Sequence, residues 1–197
     1  MGHQSNMPMA LVGINGESCA IVDASRVGPV TASSPAVDVM TDLRQVAAAT
    51  VDPDTGLADA QRIMVLRAVR SLLVVDRARS MIGLITASDL LGERPLQLCN
   101  QRGVRMQDLT VRDAMTPISA VQAVTLTEVM KAVVGDVVAT LRHCGRQHML
   151  VVERDRASNV LVRGIFSSSQ IARQLGIPVQ TTEVARTFAE IEAALHT

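Results

Sequence analysis

The sequence predicts an α+β fold of two consecutive β-α-β-β-α units, and three observations within its 197 residues carry that prediction. First, a short apolar strand closed by an acid is followed by a glycine, two apolar residues and a hydroxyl. This occurs once as Leu72-Leu73-Val74-Val75-Asp76 with Gly83-Leu84-Ile85-Thr86-Ala87-Ser88-Asp89, and again as Met149-Leu150-Val151-Val152-Glu153 with Gly164-Ile165-Phe166-Ser167-Ser168-Ser169-Gln170. Second, each copy is preceded by an acid, one residue and Met-Thr: Asp38-Val39-Met40-Thr41 and Asp113-Ala114-Met115-Thr116. Third, a stretch with helical spacing lies between landmarks in both copies. Four landmarks in one order mark an internal duplication rather than a chance tetrapeptide. The Met-Thr pairs lie 75 positions apart (Met40 to Met115) and the glycines 81 (Gly83 to Gly164), so the extra residues fall where loops are expected.

In chain order, Met9 to Ile14 and Glu17 to Val22 flank Asn15-Gly16, a dipeptide suited to the positive φ angles of a type I′ turn, and predict a β-hairpin. A Pro/Ser/Thr-rich passage from Gly28 to Pro35 reads as a linker. In the first repeat, Ala49 to Asp52 is a strand ended by Pro53. Asp54 or Thr55 can cap a helix with Ala60, Ile63, Met64 and Ala68 on one face. Strands Leu72 to Val75 and Met81 to Ile85 follow, then a helix from near Thr86. Gly92 to Asp108 reads as a polar connector. In the second repeat, Ile118 to Gln122 is the expected strand, and Thr125-Leu126-Thr127-Glu128 the expected capping box. Leu126, Met130, Val133, Val137 and Leu141 keep helical spacing up to a stop at Gly145, with Gly135 weakening the interior by about 1 kcal/mol relative to Ala. Strands Met149 to Val152 and Leu161 to Phe166 precede a helix from near Ser168, and residues 183–196 form a last helix with Val184, Phe188, Ile191 and Leu195 in one stripe. The organisation is hairpin and linker (1–35), first repeat (36–100), second repeat (101–176) and C-terminal helix (177–197).

Composition narrows the function. The formal net charge is zero and the 18 arginines are scattered among acids, which argues against a nucleic-acid polymer as partner. With no Trp or Tyr and only two Phe, a planar ligand must lie between aliphatic side chains. Cys19, Cys99 and Cys144 are odd in number and far apart, as for reduced thiols in the cytoplasm. No uncharged apolar run reaches the ~18 residues of a membrane helix. His143, Cys144 and His148 lack paired ligand spacing, so they read as a helix end and not a metal site. No nucleophile, base and acid fall into a catalytic order, and an enzyme is not expected.

Thr86 and Asp89 stand where a strand gives way to a helix. Free amides there attract anions, the Thr hydroxyl lies beside them, and the Asp carboxylate can accept from both hydroxyls of a ribose. The simpler reading of the same spacing is a helix cap.

On these residues, the Asp-x-Met-Thr pairs, the strands ending in acids and the Gly-h-h-Thr/Ser-x-x-Asp segment (h, apolar), the chain resembles tandem cystathionine β-synthase (CBS) domains, the Bateman module, over about residues 36 to 175. The resemblance implies a pseudo-twofold axis between the repeats, two clefts for adenosine-containing ligands, and a homodimer. It also implies that Thr86 and Asp89 hold phosphate and ribose, that Arg70 reaches the phosphates, and that Ile118 to Val121 covers the adenine. In the second copy Ser167 keeps the hydroxyl, but Gln170 replaces the carboxylate. Gln147 and His148 take the place of Arg70, and Thr50 with Val51 form the covering strand, so this cleft is expected to bind more weakly. The expectation is a cytoplasmic, non-catalytic regulatory module that requires no cofactor, takes AMP, ADP or ATP as its ligand and acts on an unknown protein. The alternative is an interaction dimer with degenerate clefts.

Overall fold

The computed structural model describes residues 30–176. The expected hairpin and the helix at 183–196 lie outside the described residues. Two four-stranded sheets organise the chain. One has the order β2-β3-β4-β5, with β2 (Thr50–Val51), β3 (Ser71–Val75), β4 (Met81–Thr86) and β5 (Thr116–Pro117). The other has the order β1-β8-β7-β6, with β1 (Thr41–Asp42), β6 (Ala123–Thr125), β7 (His148–Arg154) and β8 (Val160–Ser167). The helices are α1 (Leu57–Leu66), α2 (Ala87–Leu91), α3 (Arg94–Arg102), α4 (Val111–Ala114), α5 (Leu126–Val129), α6 (Val134–His143) and α7 (Ser168–Gln174).

The two sheets repeat one another register for register. Leu73 pairs with Leu84 as Leu150 pairs with Ile165, and Ser71 with Thr86 as His148 with Ser167. The ladder shifts at Val74/Val75 in one sheet and at Val151/Val152 in the other. The duplication read from the sequence is therefore a duplication of backbone geometry.

Each repeat lends its leading segment to the other. Thr41 and Asp42 pair with Ile165 and Gly164, whereas Thr116 and Pro117 pair with Leu84 and Gly83. The turns before these strands cross over as well: Val134 N–H donates to Ser34 O at 2.9 Å, and Leu57 N–H to Leu109 O at 3.4 Å. Ala36, Val39 and Met40 accordingly lie in the core of the second repeat with Val134, Val138, Leu141, Met149 and Phe166. Leu109, Val111 and Ala114 lie in the core of the first with Val51, Ala60, Met64, Leu72 and Ile85.

The glycine landmarks follow from this exchange. A Cβ on Gly83 would come within 2.7 Å of both Met115 Sδ and Thr116 O, and one on Gly164 within 2.6 Å of Met40 Sδ and 2.9 Å of Thr41 O. A methionine tip can move aside, but a ladder carbonyl cannot. Glycine is required because the incoming strand lies against the backbone.

Several local expectations are corrected. The N-cap of α1 is Gly56, which makes no side-chain cap bond. Asp54 and Thr55 are held away from that role, since Asp54 N–H donates to Asp52 Oδ1 at 2.8 Å and Arg112 pairs with the Asp54 carboxylate at 3.1 Å. Ala60 and Met64 are buried as the spacing implied, but Ala68 lies past the helix end, exposed, at φ 51°. Residues Ile118–Ala120 form a 3₁₀ turn instead of a strand, because Pro117 sets the extended geometry just before it and ladder pairing begins only at Ala123. The helix expected from Thr125 to Gly145 is two helices. Its chain opens at Val133, extended at φ −107° and ψ 167°, where the exchanged segment docks through a bridge to Pro35. Met130 and Val133 consequently turn outward, and Val129, Val134, Val138 and Leu141 supply the buried face. Thr125 Oγ1 accepts from Glu128 N–H at 3.2 Å, but the Glu128 carboxylate faces Lys131 at 3.3 Å, so only half of the expected capping box forms. The polar connector contains α3, which ends at Gly103 with φ 65°.

Replacing Gly83 or Gly164 with Ala is expected to lower stability by about 1–3 kcal/mol in each case, as overpacking at a rigid backbone does. Equilibrium denaturation checks it, with Gly56→Ala, where open space surrounds the position and only the N-cap preference for Gly over Ala is lost, as the reference without overpacking.

Candidate functional site

The two sheets face each other through Leu73, Leu84 and Leu150, with Leu43, Ala48, Val121 and Ile165 packed against them. Two clefts open along this seam. Each combines the helix start of one repeat with the residues that precede the central strand of the other.

The first cleft has a volume of ≈ 160 Å³ and is lined by Thr86, Ser88 and Asp89 on one side and by Ala120 to Gln122 and Gly145 to Leu150 on the other. Thr86 is the N-cap of α2, because its hydroxyl accepts from Asp89 N–H at 3.3 Å. In return Asp89 Oδ2 accepts from Thr86 N–H at 2.9 Å and from Thr86 Oγ1 at 2.7 Å. The cap reading of the motif is thus realised in full. Asp89 Oδ1 retains only a long ion pair, 3.7 Å to Arg94 Nη1, and so keeps acceptor capacity for a diol. Ser88 Oγ donates to Gln147 Oε1 at 3.2 Å and ties the two walls together.

The second cleft is larger, ≈ 360 Å³, and is lined by Thr41, Arg67, Arg70, Ser167, Ser169, Gln170 and Arg173, with Val46, Ala47 and Ile165. Ligand pockets typically enclose ~300–1,000 Å³, so this cleft reaches that range while the first does not. Thr41 Oγ1 donates to Gln170 Oε1 at 3.0 Å, which occupies the amide oxygen and leaves its N–H groups for another partner.

The expected site residues are redistributed. Thr86, Asp89 and Val121 share the first cleft, whereas Ile118, in its exposed turn, is not among the residues lining it. Arg70, expected beside Asp89, lines the second cleft with Ser167 and Gln170. Gln147, expected beside Gln170, lines the first. Thr50 and Val51 are absent from both walls; Val51 is buried in the first core, and neighbouring Ala47 and Ala49 line the second cleft instead. One geometric reason covers these shifts. The residue before each central strand bonds within its own repeat through its backbone, Ala87 N–H to Arg70 O and Ser168 N–H to Gln147 O, both at 2.9 Å. Its side chain lies across the seam, against the other repeat's helix start. Ser88 and Arg146 in the first cleft, and Arg67, Ser169, Arg173 and Thr41 in the second, escaped the sequence reading because that pairing is tertiary. Among them Ser88, inside the Thr86-to-Asp89 segment, Ser169, inside the Ser167-to-Gln170 segment, and Thr41, in the Met-Thr landmark, carried a sequence signal.

His148 lines both clefts. It takes the place in its sheet that Ser71 holds in the other, and its Nδ1 is buried without a hydrogen-bond partner. Burial pulls its pKa down from 6.5 to about 4, with the nearby Arg70 charge adding to the effect. Away from the clefts, Asp42 is held below the usual carboxylate range by its hydrogen bonds from Arg163, which help fix β1 on β8. No group of three or more His, Cys, Asp or Glu that could hold a metal ion occurs among the described residues.

The His148 shift has a signed consequence. The unfolded chain binds a proton near pH 6.5 that the folded chain refuses until about pH 4, so stability from this group is complete above pH 6.5 and is lost as pH falls toward 4. The loss is roughly 3 kcal/mol at 1.36 kcal/mol per pKa unit. Denaturant melts from pH 7 to 4 are expected to show a shallower decline for His148→Gln than for the natural chain.

Residues 36–95 match the CBS domain family. The second repeat is tied to the first by its shared register, bulge and exchanged strand. A comparison with curated proteins returns no match. Among solved structures the chain is similar to an uncharacterized conserved protein from Pyrococcus horikoshii, at 20% identity over 78% of this chain and 100% of that one, with a TM-score of 0.53. It is also similar to the CBS-domain containing protein ATU1752 from Agrobacterium tumefaciens, at 17% identity over 73% and 94% of the two chains, with a TM-score of 0.51. These likenesses establish the fold.

Proposed function

The chain carries a tandem pair of CBS domains, and on that premise we propose that it is a non-catalytic regulatory module that binds an adenosine nucleotide of the AMP, ADP or ATP class in the first cleft. The observation that carries this reading is the position of Asp89 in the cleft wall, its Oδ1 held only loosely by Arg94, while Val121 and Gln147 stand in the opposite wall. In this reading Asp89 accepts from the ribose hydroxyls, Thr86 and Ser88 meet the phosphate, and Val121 packs on the adenine. The cleft encloses part of such a ligand, and its walls move apart to seat the rest. That opening changes the relative setting of the two repeats. A ligand that favours the opened state shifts the population toward it, and a partner protein reads the difference.

Val65 and Leu66 on α1 are 72% and 79% exposed, and Met130 is 64% exposed. We assign these faces to a homodimer in the cytoplasm. Light scattering at micromolar concentration is expected to return twice the 21.0 kDa of one chain; a single-chain mass counts against the dimer.

One observation favours the second reading, an interaction dimer that binds no nucleotide: Thr86 and Asp89 already satisfy each other as a cap. Calorimetry separates the two. Asp89→Ala is expected to weaken an adenosine nucleotide at least tenfold, since each charge-assisted bond contributes about 1.5–3 kcal/mol, and Gln170→Ala is expected to change it far less. Absence of heat with AMP, ADP and ATP selects the interaction reading.

A further inference from the structure

A third concavity lies inside the second repeat, on the face of its sheet turned away from the seam. Its origin is a difference between the two copies. Val51 and Val124 hold equivalent places, pairing with Val74 and Val151 beside the shared ladder shift. The long helix then starts at Leu57 in the first repeat, but only at Val134 in the second. The added residues wind into α5, and the chain opens at Val133 before α6 begins. A pocket of ≈ 340 Å³ is left between these two helices and the sheet. That volume falls in the ~300–1,000 Å³ range of ligand pockets. Of its described lining residues, Met149 alone is shared with a seam cleft.

The floor of this pocket is apolar and its mouth is charged. Phe166 and Met149, 1% and 3% exposed, form the floor with Val124, Val129 and Val137. Such a surface offers water no hydrogen bonds, and apolar cavities take apolar guests. The exposed Glu128, Lys131 and Asp136 ring the mouth beside Thr140, whose hydroxyl is spent on Asp136 O at 2.7 Å. Lys131 is the one base among the described lining residues, and it pairs with Glu128 at 3.3 Å. Asp136 gives Oδ2 to Val133 N–H at 3.0 Å, and its Oδ1 has no partner among the described residues. One carboxylate charge is therefore left over at the entrance to an apolar chamber.

We propose that this pocket binds a small organic amine, its apolar body set against Val129, Val137, Met149 and Phe166 and its ammonium group held at the mouth by Asp136 and Glu128. The alkyl or aryl body gains by leaving water for the apolar floor. The ammonium group donates to the surplus carboxylate in charge-assisted hydrogen bonds. A ligand with a carboxylate head would compete with Glu128 for Lys131 and would face Asp136 as a like charge. The pocket wall is also the seat of the exchanged segment, since Ala36 N–H donates to Ala132 O at 2.9 Å and Pro35 bridges to Val133. Met130, assigned above to the dimer, is not among the lining residues. The inference does not depend on nucleotide binding at the seam.

Titration calorimetry on the full chain tests it with hexylamine, hexan-1-ol and hexanoate as probes. Hexylamine is expected to bind one per chain and more tightly than either of the others. Butylamine is expected to bind about tenfold more weakly than hexylamine, because it buries two fewer methylenes at about fourfold each. Asp136→Asn, which keeps an oxygen for Val133 N–H, and Glu128→Gln are each expected to weaken hexylamine about fivefold, as the loss of a partly exposed ion pair does, and to leave hexan-1-ol unchanged. Ala132→Leu fills the chamber and is expected to abolish binding of all three, while Asp89→Ala changes none of them. Thermal melts confirm that each variant folds, and the two carboxylate variants alter exposed side chains only. In the labelled chain the Met149 methyl signal is expected to shift as hexylamine is added, up to saturation. No saturable binding of hexylamine at millimolar concentration overturns the proposal. So does equal affinity for hexylamine and hexan-1-ol, or tightest binding of hexanoate with its loss in Lys131→Met. A loss with Asp89→Ala equal to that with Asp136→Asn places the amine at the seam and overturns it as well. Should AMP, ADP and ATP all fail to bind while hexylamine still depends on Asp136, the adenosine reading of the first cleft falls and this one stands.

Discussion

The close approach of a Met-Thr strand to a glycine, made twice, is the constraint on which the rest of this structure depends. At Gly83 and at Gly164 the neighbouring strand's carbonyl and methionine occupy the space a Cβ would take. Because each strand comes from the other half of the chain, neither core is complete without the exchanged segment. The buried Ala36, Val39 and Met40 in one core, and Leu109, Val111 and Ala114 in the other, have crossed over together with those strands. Folding of the two halves is thereby coupled, since separating them would expose both sets at about 25 cal/mol per Å² of apolar surface.

That coupling also decides what the clefts contain. With the sheets related face to face about the Leu73, Leu84 and Leu150 seam, the residue ahead of each central strand meets the helix start of the opposite repeat. Arg70 is brought to Gln170, and Gln147 to Asp89. Asp89 therefore shares the first cleft with Gln147 and Arg146, while Arg67, Arg70 and Arg173 share the second with Gln170 and no acid. The duplication supplies two similar frames, and the crossing of side chains makes them chemically unlike.

His148 marks where the symmetry is broken most sharply. Its counterpart Ser71 is small and polar, whereas the imidazole is buried at a position that both clefts share. A neutral, unpartnered ring beside Arg70 costs stability that a packed apolar residue would not. The position joins the two clefts through one side chain.

Much of the fold was legible in the residues themselves. The paired strands, the register of the glycines, the stop at Gly145 and the Thr86–Asp89 box are local signals, written in side-chain alternation, turn chemistry and capping, and each reappears at its place. The errors came where a neighbour from the other repeat overrides local preference. Val133 leaves the helical pattern because Pro35 pairs with it, and the apolar run at Ile118 misses the ladder because Pro117 and the following turn delay pairing to Ala123. The site divided in the same way: Thr86 and Asp89 were visible as a motif, while the gathering of Arg67, Arg70 and Arg173 was not. The sequence by itself determined two copies of one strand-helix frame, since periodicity and glycine placement act within a repeat. Only the tertiary structure decided which copy's side chains face which, because that follows from an exchange of segments between the two repeats, Thr41 pairing with Ile165 and Thr116 with Leu84, and a linear pattern does not record it.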